Sequence, residues 1–351
     1  MKKTFRKLAA AVLTGVLALS LAGCGGDSKE QKSAGKGEYA NLKEVVLIGA
    51  DTAGKGSAGQ QFGELVSKKV DEITGGKLQI EYHPNGDLRQ LKSNDIQVFV
   101  SQPAPVVSFI PEMAVFDLPM AFAKYDGPTI DKVLNNPESK FYKQLAAAYD
   151  KAGFHYMGML QNGTFRLATA NTNLKDLDAY KGLKIRTMSN KNHMAFWTAI
   201  GAEPTPLAFS ELYFALQSGT VNAEENAADT IVTMNFNEVQ KFLAPTNHVL
   251  YTNQLAMNKK AYESLDPAYQ KALNQAVSEA LKELAPKLGE IDKQNKETLE
   301  KKGMTIIKYD KSFYDQVLAL DSVKALYKDI NSQINGIGDV LMQELDAAAK
   351  K

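Results

Sequence analysis

The sequence predicts an α/β protein of two lobes, and three observations lead there. Strand-like and helix-like periods alternate from residue 44 onward. The 351 residues, 44% hydrophobic and 23% charged, are enough chain for two cores. One amphipathic stripe, over 266–302, is too long for a single small domain.

In chain order, 44–50 reads as a strand, 57–73 as an amphipathic helix, and 77–83 as a second strand entered through Gly75-Gly76. This is the rhythm of a βαβ unit. Further strands are predicted over 96–101, 155–160, 165–169, 183–188 and 249–257, with helices over 140–151, 191–200 and 209–217. The long segment opens at Asp266, a good N-cap, with Pro267 at the first helical position, and stops before Gly303. Its apolar residues, Leu273, Val277, Leu284 and Leu288 among them, fall on one helical face. Such a helix spans about 50 Å and should lie across both lobes, with Pro286 as a candidate kink.

The beginning of the chain has a different character. Lys2, Lys3, Arg6 and Lys7 precede an uncharged apolar run of 14 residues, Leu8 to Leu21, the pattern of a secretory signal peptide over 1–23. A stable membrane-crossing helix usually needs ~20 apolar residues, so the run reads as an export signal. The only cysteine, Cys24, follows Leu21-Ala22-Gly23 and resembles the lipobox of bacterial lipoproteins, in which the cysteine is lipidated and leads the mature chain. A lone cysteine allows no internal disulfide. Residues 24–40 begin with this cysteine, and 25–38 carry no large apolar side chain, so the segment is expected to be a flexible tether.

Charge and motifs exclude several functions. The net charge of +1 contains no dense basic patch, so nucleic acid is not an expected partner. His83, His155, His193 and His248 have no metal-ligand spacing, and neither a nucleophile elbow nor a phosphate-binding Gly-Lys-Ser/Thr loop occurs. No metal and no cofactor are expected. Gly54-Lys55-Gly56-Ser57-Ala58-Gly59 matches a dinucleotide fingerprint on paper, with Glu81 on the next strand, but Gly54 comes too late after its strand for the tight turn that fingerprint needs. The loop could still present helix N–H groups to an anion.

Arg166 and Arg186 each lie on a short predicted strand, 20 residues apart. A buried arginine needs an anion, and its planar fork suits a carboxylate. From the residues alone, that anion is either a ligand or an internal Asp or Glu.

The surrounding sequence closely resembles the solute-binding receptors of tripartite ATP-independent periplasmic (TRAP) transporters, the DctP family, here in lipoprotein form. The resemblance is carried by Lys181-Gly182-Leu183-Lys184-Ile185-Arg186, by the run from Gly201 to Tyr213 containing Phe209-Ser210-Glu211, and by Ala215-Leu216-Gln217-Ser218-Gly219-Thr220-Val221-Asn222-Ala223-Glu224-Glu225-Asn226. In the last, Asn222, Ala223 and Glu224 replace the family's Asp, Gly and Gln. Pro111-Glu112 and Val115-Phe116-Asp117-Leu118-Pro119 match upstream segments.

The resemblance implies a periplasmic-binding-protein-like fold with a ligand cleft between the lobes. Lobe I would comprise 41–163 plus 252–291, and lobe II 164–251 plus 292–351. Arg186 would pair with the ligand carboxylate, Arg166 would supply a second polar contact, Asn226 an amide and Phe209 an apolar wall. The implied function is an extracytoplasmic receptor without enzymatic activity. It would bind a small organic acid, a C4-dicarboxylate first among candidates, and deliver it to the membrane subunits. Lipidated Cys24 would hold it to the bilayer, at the outer face of the cytoplasmic membrane or facing the periplasm. On sequence the alternative stays open: an exported enzyme using the Gly54–Gly59 loop for a nucleotide, or acting as a hydrolase.

Overall fold

The computed structural model describes residues 37–52, 56–84 and 86–350. Two mixed sheets organise them. The first has the order β2-β1-β3-β10-β4, built from β1 (Val45–Asp51), β2 (Leu78–His83), β3 (Val98–Ser101), β4 (Phe154–Leu160) and β10 (Asn253–Asn258). The second has the order β11-β9-β5-β8-β6-β7, from β5 (Leu167–Ala170), β6 (Lys184–Thr187), β7 (Glu203–Pro206), β8 (Ala223–Asn226), β9 (Phe242–Ala244) and β11 (Thr305–Ile306). The chain passes between the sheets from β4 to β5 and returns from β9 to β10. Strand β10 then inserts antiparallel between β3 and β4.

Local chemistry explains the helices that flank the first sheet. Ser57 caps the helix Ala58–Thr74 by accepting from the Gln60 amide, and Gly75 ends it in the left-handed region at φ 62°. Its stripe of Phe62, Val66 and Val70 is buried against Leu255, Met257, Leu273 and Val277. Each such side chain stabilises the fold by roughly 1.5–3 kcal/mol.

The long helix is Pro267–Lys301, 35 residues capped by Asp266, and it continues through Pro286. It packs on β4 and the Ala58–Thr74 helix near its start, and on Ala228–Thr233 and β11 further along, so it spans both sheets. Close approach requires glycine at the crossing: a Cβ on Gly158 would stand 3.1 Å from Leu281 and 3.2 Å from Val277. Where the chain leaves the first sheet, Gly163 has φ +66° and lies against the Gly127 backbone, which a Cβ would approach to 2.8 Å.

The closing helix Ile337–Ala348 packs on Gly127–Leu134 and Lys140–Ala152 through Leu341 and Leu345. The final helix therefore rests on elements that precede the first crossing. Among the described residues no helix is long and apolar enough to cross a membrane.

Candidate functional site

Strand β8 supplies the centre of the site, although its sequence, Ala-Glu-Glu-Asn, has no apolar alternation. All four residues are buried. It lies between β5 and β6, with Thr169 and Arg186 both in register with Glu224.

Arg166 immediately precedes β5 and is 2% exposed. Its Nε donates to Glu225 Oε2 at 2.5 Å, and Nη2 donates to the Glu225 carbonyl at 2.8 Å and to Asn226 Oδ1 at 3.0 Å. Nη1 donates to Gln102 Oε1 at 2.9 Å, from the end of β3 in the first sheet. Four of the five guanidinium N–H groups are thereby engaged. Desolvation by burial opposes ionisation of Glu225, yet the Arg166 charge, the His248 hydrogen bond and the nearby His193 outweigh it and hold the carboxyl well below the usual carboxylate range.

Arg186, inside β6, is equally buried at 3% exposure, yet among the described residues no carboxylate stands within ion-pair distance of it. Its Nε and Nη2 both donate to the Leu207 carbonyl, at 3.1 and 2.8 Å. Three N–H groups remain. The guanidinium lies 5.7 Å from the centroid of the Phe209 ring, which is 41% exposed. Burial lowers the Arg186 pKa, and the nearby carboxylates of Glu225 and Glu224 only partly offset this.

Two histidines complete the buried charge cluster. His193 Nε2 lies 3.1 Å from Asp117 Oδ1 and its Nδ1 3.6 Å from Glu225 Oε1. Asp117 also accepts from the side chains of Asn190 and Asn192. Burial opposes charge on His193, but Asp117 first and Glu225 second overcome it and raise its pKa to about 9. His248 Nε2 lies 3.1 Å from Glu225 Oε2, and burial, the larger effect, lowers its pKa.

Arg166, Arg186, Asn226 and Phe209 thus gather around β8, with Arg166 reaching Gln102 at the end of β3. Their roles differ in geometry. Arg166 is already matched by an internal carboxylate, whereas Arg186 is not. Asn226 is bonded at both ends, accepting from Arg166 and donating to Glu224 Oε2 at 2.6 Å.

Sequence reading did not single out Glu225, His193, His248, Asp117 or Gln102 as site residues. The adjacent pair Glu224-Glu225 beside buried Val221 and Ala223 was the available signal, since two consecutive glutamates in an apolar setting need partners. The glycine loop folds onto its own helix: the Gly56 amide donates to Gln60 Oε1 at 2.6 Å and Gln61 Nε2 donates to the Gly56 carbonyl at 2.8 Å. Gly54 and Lys55 lie outside the described residues, as does Cys24.

The chain matches the family model of bacterial extracellular solute-binding protein, family 7 (DctP), over residues 50–332. A solute-binding protein of Verminephrobacter eiseniae is 31% identical over 76% of this chain and 79% of its own length. The C4-dicarboxylate-binding periplasmic protein DctP of Rhodobacter capsulatus is 31% identical over 68% of this chain and 71% of its own. Among solved structures, a TRAP periplasmic solute-binding protein from Desulfovibrio salexigens with bound orotic acid superposes with a TM-score of 0.78, at 25% identity, over 88% of this chain and 99% of that one. The class is that of solute-binding receptors rather than enzymes. Within it, the chain belongs to family 7 of the bacterial extracellular solute-binding proteins, the DctP family of TRAP receptors.

Proposed function

We propose that the chain is a lipid-anchored TRAP receptor that captures a small organic acid, a C4-dicarboxylate in the first instance, with Arg186 as the anchor for one ligand carboxylate. The observation that carries this reading is the charge imbalance at Arg186: a guanidinium 3% exposed, with three N–H groups unspent and, among the described residues, no carboxylate at ion-pair distance. A buried charge left in that condition is costly, and a ligand carboxylate would relieve it. Phe209 offers the apolar wall against which a short carbon chain can lie. Arg166 keeps one N–H for a second polar contact, and Asn226 one amide hydrogen.

The lobes proposed to close on the ligand are 41–163 plus 252–291 and 164–251 plus 292–351, turning about the crossings that flank Gly163 and Tyr251, with the closing helix Ile337–Ala348 reaching back to rest on the first lobe. Cys24, lipidated after removal of 1–23, would keep the receptor at the membrane surface beside the transporter subunits that accept the ligand. A melting-temperature panel of succinate, malate, fumarate, orotate and monocarboxylates tests the ligand class, because a ligand that binds only the folded state stabilises it by RT ln(1 + [L]/Kd). Succinate or malate should give the largest shift. A panel in which only monocarboxylates stabilise the protein overturns the dicarboxylate assignment.

A further inference from the structure

Glu224 stands at a position where the resembled motif has glutamine, and the receptor reading gives it no task. We infer that Glu224 is carried as a neutral acid and serves as a counter-charge switch for Arg186: protonated it leaves the guanidinium to an anionic ligand, and deprotonated it competes with that ligand.

Hydrogen-bond accounting leads to this assignment. Glu224 has no solvent exposure, and its Oε2 accepts from Asn226 Nδ2 at 2.6 Å. The orientation of that amide is set, because its oxygen accepts from Arg166. The other oxygen, Oε1, is 2.8 Å from Thr169 Oγ1, which is also 3.2 Å from Gln240 Oε1. Gln240 is oriented in turn by donating Nε2 to the Val239 carbonyl at 2.8 Å. A hydroxyl has one hydrogen, so Thr169 cannot donate to both acceptors. With a proton on Glu224 Oε1 the chain closes: Glu224 donates to Thr169, and Thr169 donates to Gln240. With Glu224 ionised, one buried oxygen is left facing another.

The charged groups around it agree. On its own strand Glu225 is an ionised neighbour, and Glu225 takes the charge of Arg166 from the β5 side. From the helix after β6, His193 faces Glu225 and Asp117, and His248, ahead of β10, faces Glu225. Arg186, from β6, is in strand register with Glu224 and makes no ion pair with it. Burial, the largest influence, pushes the Glu224 carboxyl up to about 7, with the charge of Glu225 adding to it and the bonds from Asn226 and Thr169 and the charge of Arg166 opposing it.

The sign of the coupling follows. An anion on Arg186 disfavours the ionised form of Glu224, so the bound state holds the proton more tightly than the free state. Affinity is then highest below the free-state midpoint and falls as pH rises through it, with the proton passing to solvent.

The inference rests on Arg186 as the ligand anchor, and its first test needs no ligand. Carboxyl carbon NMR on the full-chain protein with labelled glutamate, assigned by Glu224→Gln or, should that variant not fold, Glu224→Asp, follows the titration directly. Glu224 should titrate near neutral pH, and Arg186→Gln should move its midpoint upward. A midpoint in the ordinary carboxyl range near 4.3, or one that Arg186→Gln leaves in place, overturns the inference. With succinate as probe, calorimetry should show wild-type binding weakening ~5-fold or more between about pH 6 and 8.5, and Glu224→Gln varying less than about 2-fold over that range. Wild-type affinity for succinate that is flat over the range also overturns it. Protein whose Glu224 titrates as expected but which takes up no carboxylate at any pH fails the ligand assignment instead, with the Glu224–Arg186 coupling upheld by the carboxyl titration.

Discussion

Arg186→Ala removes a buried guanidinium that, among the described residues, has no carboxylate at ion-pair distance, and its effect can be worked from the site. Two of the five N–H groups, along the Nε/Nη2 edge, serve the Leu207 carbonyl, and the other three include the Nη1/Nη2 pair that can meet a carboxylate end-on. Two charge-assisted hydrogen bonds contribute roughly 1.5–3 kcal/mol each, so even with imperfect geometry the loss on binding should be 2 kcal/mol or more, on the order of 30-fold in Kd. The unliganded protein should respond differently. Truncation strands the Leu207 carbonyl but also removes an uncompensated buried charge, and these opposing effects leave apo stability changed by ~1–2 kcal/mol. Arg186→Lys keeps the charge and loses the fork, and should recover only part of the affinity. Calorimetric titration with succinate, beside melting curves of the apo proteins, measures both quantities. Binding within about threefold of wild type, which is less than 1 kcal/mol, together with a large drop in apo melting temperature would make Arg186 a structural residue and refute the argument.

Arg166→Ala should do the reverse of Arg186→Ala: it strands the fully buried Glu225 carboxylate and should destabilise the apo protein by roughly 3–5 kcal/mol, read as a drop in denaturation midpoint. His193, with its pKa raised to about 9 in the folded state, contributes stability that is complete below its unfolded pKa of about 6.5 and is lost as pH rises through 9. Urea denaturation at intervals across that window should show the decline in wild type, and His193→Gln should flatten it. If Cys24 carries the lipid, Cys24→Ala should release the full-length protein from membranes or block its processing, and a wild-type mature protein that is fully soluble with an unmodified N-terminus contradicts the anchor. Lobe closure should reduce the small-angle scattering radius at saturating ligand. Trp197 offers a second reporter of the same event, since its ring lies 4.9 Å from that of His248 in the charge cluster.

Local periodicity and end signals were sufficient for much of the architecture. Ser57 and Asp266 cap their helices, Gly75 and Gly153 end theirs in the left-handed region, and the apolar stripe of 266–302 gives a continuous helix that joins both sheets. These features depend on residues close in sequence, so a linear reading reaches them. Strands β7, β8, β9 and β11 were not legible. They have only two to four residues each, and β8 holds two glutamates where a buried strand would ordinarily show apolar side chains. Their existence depends on neighbours in the sheet, which are distant along the chain.

The division of labour between the two arginines belongs to the same category. Arg166 and Arg186 are alike in sequence, each beside a short apolar run, although only the Arg186 segment is itself one of the family-like motifs. The pairing of β5 with β8 brings Arg166 to Glu225, 59 residues away, while Thr169 and Asn226 occupy the oxygens of Glu224, the carboxylate in strand register with Arg186. The sequence alone determined the family and four of the residues that gather around β8, namely Arg166, Arg186, Asn226 and Phe209. Only the tertiary structure decided which guanidinium is already neutralised, because charge compensation is set by strand register across the sheet and local sequence contains no record of it.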